Sequence, residues 1–112
     1  MSLDRQECDV LVAGAVNTDL VAWVERAPRA GETITGSEFA VFGGGKGANQ
    51  AVAVARSGVR TAMLGAVGHD DFGCQRLASL AEEGIDTSGI LVANGAASGV
   101  ALIVVETHGE NR

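Results

Sequence analysis

Apolar and polar positions along the chain fall into two kinds of segment. Asp9–Ala15, reading Asp-Val-Leu-Val-Ala-Gly-Ala, is a short, nearly unbroken apolar run. A run of that length predicts a strand buried on both faces, as in a parallel sheet. Val59–Val67 has the same character. Leu20–Glu25 and Thr33–Phe42 differ, because Thr, Ser and Glu interleave with the apolar residues. They predict half-exposed strands joined by the turn-rich stretch Ala27-Pro28-Arg29-Ala30-Gly31. Lys46–Ser57 is Ala-rich and predicts a helix, with Gly58 as the residue that closes it. Asp70 and Asp71 suit the amino end of a second helix. Phe72, Leu77, Leu80 and Ala81 supply its apolar stripe, and Gly84 ends it. Ile85–Ala93 holds a short strand and Gly99–Glu106 a longer one.

Buried strands that alternate with helices imply a parallel sheet with right-handed crossovers. The expected fold class is α/β, an incomplete doubly wound, mainly parallel sheet. The runs at 20–25, 33–42 and 99–106 form a second, smaller sheet. The domain occupies 9–112, and the polar residues 1–8 read as a leader or tail. Only two or three core strands are predicted, and Gly109-Glu110-Asn111-Arg112 is no terminating element. The expectation is therefore an unfinished sheet, with strand edges that need cover.

Composition narrows the function classes. The 112 residues are 46% hydrophobic and 20% charged, enough apolar material for one packed core. A net charge of −6 with scattered basic residues argues against a nucleic-acid partner. No apolar run approaches the length of a bilayer helix, so no membrane role is expected. Cys8 and Cys74 form no ligand-spaced motif and read as reduced, mostly buried thiols, with no metal site. Sixteen glycines against three Phe, one Trp and no Tyr imply many tight turns or close backbone approaches.

Two polar motifs carry candidate chemistry. Gly43-Gly44-Gly45-Lys46-Gly47-Ala48-Asn49 leads into the first predicted helix. It lacks the Ser or Thr that follows Lys in a Walker loop, and it does not follow the first strand as a dinucleotide fingerprint would. Two readings stay open. One is a helix amino terminus whose free N–H groups, with Lys46 and Asn49 on one face, meet a neutral polyol. The other is a glycine-rich turn that only enters a helix. Asn17-Thr18-Asp19 follows the first strand, where ligands of open α/β sheets sit. Asn17 and Asp19 point the same way if the backbone is extended, and an ionised Asp accepts from adjacent hydroxyls. An Asx turn leaving the strand is the alternative. Gly65-Ala66-Val67-Gly68-His69-Asp70-Asp71 reads as a turn and helix start, and Glu82-Glu83 as a solvated face.

At Gly44-Gly45-Lys46-Gly47-Ala48-Asn49-Gln50-Ala51 the sequence resembles the ribokinase (PfkB) family of carbohydrate kinases. Gly14-Ala15-Val16-Asn17-Thr18-Asp19, Gly31-Glu32-Thr33 with Gly36, Gly58, Gly68, Gly84-Ile85-Asp86, Gly99-Val100-Ala101-Leu102-Ile103 and Gly109-Glu110-Asn111 agree in order. The departures are mild: Ala30 stands where proline is common and Ser98 where threonine is common. The resemblance implies a ribokinase-like fold whose smaller sheet is a lid. It implies sugar contacts at Asn17, Thr18, Asp19, Gly45, Lys46, Gly47, Ala48 and Asn49, and apolar lid contacts at Ala101 and Ile103. It further implies transfer of the γ-phosphoryl of ATP to the primary hydroxyl of D-ribose, with Mg2+ and a monovalent cation, in a cytoplasmic homodimer clasped through its lids. The family's catalytic aspartate lies in a Gly-Ala-Gly-Asp motif, which has no match in these residues. The resemblance therefore implies no catalytic residue in this chain, no cofactor bound by it alone, and no activity of its own. Another sugar or nucleoside kinase of the family, or a non-catalytic sugar-binding or dimerisation module, are the alternatives.

Overall fold

The computed structural model describes residues 8–107. The predicted leader or tail, apart from Cys8, and the Gly109-Glu110-Asn111 segment lie outside the described residues. Two compact units are present. One contains the described residues up to Thr18 together with Gly43–Gly99. The other contains Asp19–Phe42 and the described residues from Val100 onward.

The first unit is built on three strands, β1 (Val10–Ala13), β4 (Thr61–Gly68) and β5 (Asp86–Ala93), in the order β1-β4-β5. Both pairings are parallel, with Val10 opposite Thr61 and Leu64 opposite Gly89. Helix α1 (Lys46–Arg56) connects into β4, and α2 (Asp71–Glu82) connects β4 to β5. The order runs in one direction across the sheet. Two right-handed crossovers then put both helices on the same face. The Arg56 guanidinium donates to both Glu83 carboxylate oxygens at 2.7 and 2.8 Å, tying the C-terminal ends of the helices together. Glu83 is therefore paired, not simply solvated as the sequence pattern suggested. The opposite helical layer of a doubly wound sheet is not among the described residues.

The core lies between sheet and helices. Met63 and Val67 of β4 meet Ala51 of α1 and Leu80 of α2, with Ile85 and Ile90 completing the cluster. Helix α1 buries only small residues, Gly47, Ala48 and Ala51, so it packs close to the sheet. Its end is closed at Gly58, which adopts φ +87°. Asp70 caps α2, as its position before the apolar stripe predicted. Cys74 lies on the outer side of α2 and is exposed, whereas the sequence reading expected it to be buried.

The second sheet has the order β3-β2-β6, from β2 (Asn17–Val24), β3 (Glu38–Gly44) and β6 (Gly99–Glu106). Most of it lies in the second unit. Strand β2 starts at Asn17, ahead of the expected Leu20, and β3 starts at Glu38 rather than Thr33. The intervening segment is held as a turn. Glu32 accepts from the Arg29 N–H at 3.0 Å and from the Arg26 guanidinium at 2.8 Å, and the Ser37 N–H donates to the Trp23 carbonyl at 2.8 Å. The Arg26 and Arg29 bonds lower the Glu32 pKa to about 2, with the Arg26 contact the larger cause. The end of β6 is fixed by the Ala27 N–H, which donates to the buried Glu106 carboxylate at 3.1 Å. Among the described residues no helix is long and apolar enough to cross a membrane.

Candidate functional site

The first unit joins the exit of β1 to the start of α1 through backbone alone. A methyl group on Gly47 would sit 2.7 Å from the Gly14 Cα and 2.9 Å from the Ala15 N. A methyl on Gly65 of β4 would sit 2.8 Å from the Gly14 carbonyl oxygen. Gly14 is thus pressed between β4 and the first turn of α1. The Ala15 carbonyl then accepts from the Ala48 N–H at 3.0 Å. Gly45 precedes the helix with φ +95°, and a methyl there would lie 2.5 Å from the Ala15 oxygen. No side chain caps α1 and no acidic residue stands in its first turn. The helix geometry leaves the Lys46 and Gly47 N–H groups without intrahelical acceptors. The positive end of the helix dipole therefore points to a place where an electron-rich group is favoured.

Asn17 is brought to this helix start. A Gly45 methyl would fall 3.1 Å from the Asn17 N, so the two backbones run side by side. The Asn17 side chain is half-buried, and its Oδ1 fills the space that a side chain on Gly99 would need. Lys46 and Asn49 are exposed on one face of the first turn of α1, while Gly47 and Ala48 are buried and Gly45 half-buried. The structure therefore gathers Asn17, Thr18, Gly45, Lys46, Gly47, Ala48 and Asn49 into one unit. Asp19, Ala101 and Ile103 belong to the other unit, where all three are half-buried. Ala101 and Ile103 share one face of β6, and the exposed Val100 and Leu102 share the other.

Asn17-Thr18-Asp19 is not an Asx turn but the start of β2. Extended backbone sends Asn17 and Asp19 to one face and Thr18 to the opposite one. Thr18 is fully buried there, and its hydroxyl has no hydrogen-bond partner among the described residues. A buried hydroxyl without a partner costs about 1–3 kcal/mol. Thr18→Val is accordingly expected to leave stability unchanged or raise it by about 1 kcal/mol, read from urea unfolding of the full-length protein. A loss of about 1 kcal/mol or more would mean that the hydroxyl is bonded within the folded protein.

A polar junction at the other end of β4 escaped sequence reasoning. The Asp70 carboxylate accepts from the Ser98 hydroxyl at 2.6 Å, from the Ser98 N–H at 2.9 Å and from the Gly73 N–H at 2.8 Å. The Ser98 hydroxyl accepts in turn from the Gly68 N–H at 2.9 Å. These bonds hold the Asp70 carboxyl below the ordinary carboxylate range, the Ser98 hydroxyl contributing most. The only local signals were the glycines at 68, 73 and 99, and they do not name a partner. The exposed His69 anchors through its backbone, donating to the Ala93 carbonyl at 3.1 Å. Among the described residues no group of three or more His, Cys, Asp or Glu side chains could hold a metal ion.

Residues 8–112 match the model of the pfkB family carbohydrate kinases. The chain is 44% identical over 110 residues to ribokinase of Schizosaccharomyces pombe, covering 93% of this chain and 35% of that protein. It is 41% identical over 108 residues to ribokinase of Mus musculus, covering 96% of this chain and 33% of that protein. Its fold is similar to that of Arabidopsis thaliana ribokinase complexed with ribose and ATP, with a TM-score of 0.85, 31% identity, and coverage of 91% of this chain and 33% of that one. The chain spans about a third of the length of the curated relatives it matches.

Proposed function

The chain belongs to the pfkB family of carbohydrate kinases, and from that membership we propose that the complete protein is an ATP-dependent ribokinase, converting D-ribose and ATP to D-ribose 5-phosphate and ADP. The observation that carries the reading is the glycine contact that seats the uncapped amino end of α1 beside Asn17. That arrangement offers a polyol neutral donors and acceptors at close range with no bulky side chain in the way. Asn17, Asp19 and Asn49 bind the ribose hydroxyls, Lys46 stands over the sugar, and the backbone at Gly45, Gly47 and Ala48 lets it approach. Ala101 and Ile103 supply the apolar cover. The contribution of these residues is orientation of the primary hydroxyl for attack.

ATP supplies the transferred phosphoryl group, and Mg2+ with a monovalent cation accompanies it. The residues described here do not group into a metal site. The nucleotide loops, the ion ligands and the aspartate base are assigned to the two thirds of the protein that the relatives have and this stretch does not span. The 112 residues alone are expected to bind sugar weakly or not at all and to catalyse nothing. The reading includes a cytoplasmic enzyme that pairs through the exposed face of β6 and β3, where Phe39 and Leu102 are 63% and 77% exposed.

A coupled assay of ADP release by the full-length protein tests this. Turnover is expected with ribose and little with fructose, adenosine or ketogluconate. Turnover with one of the others in place of ribose would keep the family chemistry and move the acceptor. No turnover with any of them would overturn the kinase reading.

A further inference from the structure

The junction at Asp70 and Ser98 is larger than capping a helix requires. A cap needs one bond, from the Asp70 carboxylate to the Gly73 N–H. Here the same carboxylate also takes both donors of Ser98, a residue 28 positions further along the chain. Ser98 is buried, and its hydroxyl is fully used, donating to Asp70 and accepting from Gly68. The backbone closes round the pair. A methyl on Gly68 would overlap the Ala96 carbonyl and the Ser98 N, and one on Gly73 would overlap the Gly68 carbonyl. The end of β4, the first turn of α2 and the residue before β6 are thereby locked together.

Gly99 follows Ser98 directly, and the space above Gly99 is filled by the Asn17 Oδ1. The Asn17 amide has no hydrogen bond among the described residues, so the surface that Gly99 presents limits the rotamers it can take. We propose that the Asp70–Ser98 pair is the positioning element of the sugar site: it holds Gly99 in the place where the Asn17 amide rests, and so sets the direction in which Asn17 meets a sugar hydroxyl. The inference rests on the assignment of Asn17 as a sugar contact. Asp70 and Ser98 themselves touch no substrate. A shift of Gly99 by a fraction of an ångström would turn the amide, and hydrogen bonds lose strength steeply as they bend.

The test uses the full-length protein. Ser98→Ala removes the hydroxyl, Asp70→Asn sets an amide N–H2 against a backbone N–H donor at nearly constant volume, and Ser98→Thr keeps the hydroxyl. Ser98→Ala and Asp70→Asn are expected to raise the ribose KM about tenfold, a loss equivalent to one well-made hydrogen bond. Their kcat and their KM for ATP should stay within about twofold of wild type. Ser98→Thr should restore the ribose KM. Lowered melting temperature with an unchanged ribose KM, or equal losses for ribose and ATP, would overturn the proposal. A second readout needs no turnover: the Asn17 side-chain amide resonances of the substrate-free protein should move in Ser98→Ala and return in Ser98→Thr. Unmoved resonances would overturn the positioning role whatever the activity. A wild-type protein inactive on ribose would sink the ribokinase reading separately, with the resonances still deciding whether Asp70 and Ser98 govern Asn17. If Ser98→Ala does not fold, Asp70→Asn carries both readouts.

Discussion

Gly47→Ala is expected to destabilise the protein by about 3 kcal/mol or more, a large fraction of the stability of an ordinary domain. The added methyl would lie 2.7 Å from the Gly14 Cα, 2.8 Å from the Gly14 carbonyl carbon and 2.9 Å from the Ala15 N. Every one of these atoms is backbone, so no side chain can rotate out of the way. Relief requires α1 to move off the exit of β1. That movement opens the 3.0 Å bond from the Ala48 N–H to the Ala15 carbonyl and leaves both groups unpaired. It also separates the helix start from Asn17, so any protein that does fold should bind ribose poorly. Gly58→Ala is the matched control. It adds the same methyl in open space at φ +87°, and carries only the left-handed backbone cost of about 1–2 kcal/mol. Urea unfolding of the two full-length variants beside wild type decides the matter. A Gly47→Ala protein as stable as Gly58→Ala would show that the Gly14–Gly47 approach is not tight.

Asp19→Ala is expected to raise the ribose KM about 100-fold with little change in melting temperature. An ionised carboxylate that accepts from two hydroxyls makes two charge-assisted bonds of about 1.5–3 kcal/mol each, and about 1.4 kcal/mol corresponds to a factor of ten. The same residue contributes little to the fold, because its carboxylate has no hydrogen bond or ion pair among the described residues. The two effects therefore separate: affinity falls while unfolding stays in place. Initial rates with ribose varied at saturating ATP give the KM, and thermal unfolding gives the stability. An unchanged ribose response would remove Asp19 from the site.

Much of the local structure was legible along the chain. The Ala-rich run read as a helix and is one, and the residue after it, Gly58, carries the positive φ that ends it. Asp70 before an apolar stripe read as a cap and accepts from Gly73. The runs with interleaved polar residues, 20–25 and 33–42, fall in one sheet and the buried runs of β1 and β4 in the other, while the apolar run Gly99–Glu106 joins the first of these. The errors lie at the strand starts. Asn17-Thr18-Asp19 has turn-forming side chains, yet it is strand, because Thr18 buries completely on one side of the extended backbone. Thr33–Ser37 has strand-like residues, yet it is irregular and joins no sheet, its flanks Glu32 and Ser37 being tied by bonds to Arg26, Arg29 and Trp23. In both places a contact outweighed a propensity of a few tenths of a kcal/mol.

The sequence offered the candidate site as a list of residues, and half of the geometry among them was not legible there. Lys46 and Asn49 share a helix face by spacing alone, and Asn17 and Asp19 share a strand face for the same reason. Spacing could not tell Thr18 from its neighbours, nor find that Ser98 and Asp70 meet.

What the sequence determined by itself is whatever depends on period and on single-residue backbone preference: the two helices, their caps and stops, the buried and half-exposed strands, and the run of glycines that resembles a sugar kinase. What only the tertiary structure decided is which distant backbone each glycine admits. Gly47 is small because Gly14 lies against it, Gly99 because the Asn17 amide does, and Gly68 because the loop before Ser98 does. A missing side chain leaves no mark of its neighbour in the local pattern. The neighbour is set by parallel strand order and crossovers, which bring together residues tens of positions apart, and that pairing is a property of the packed chain.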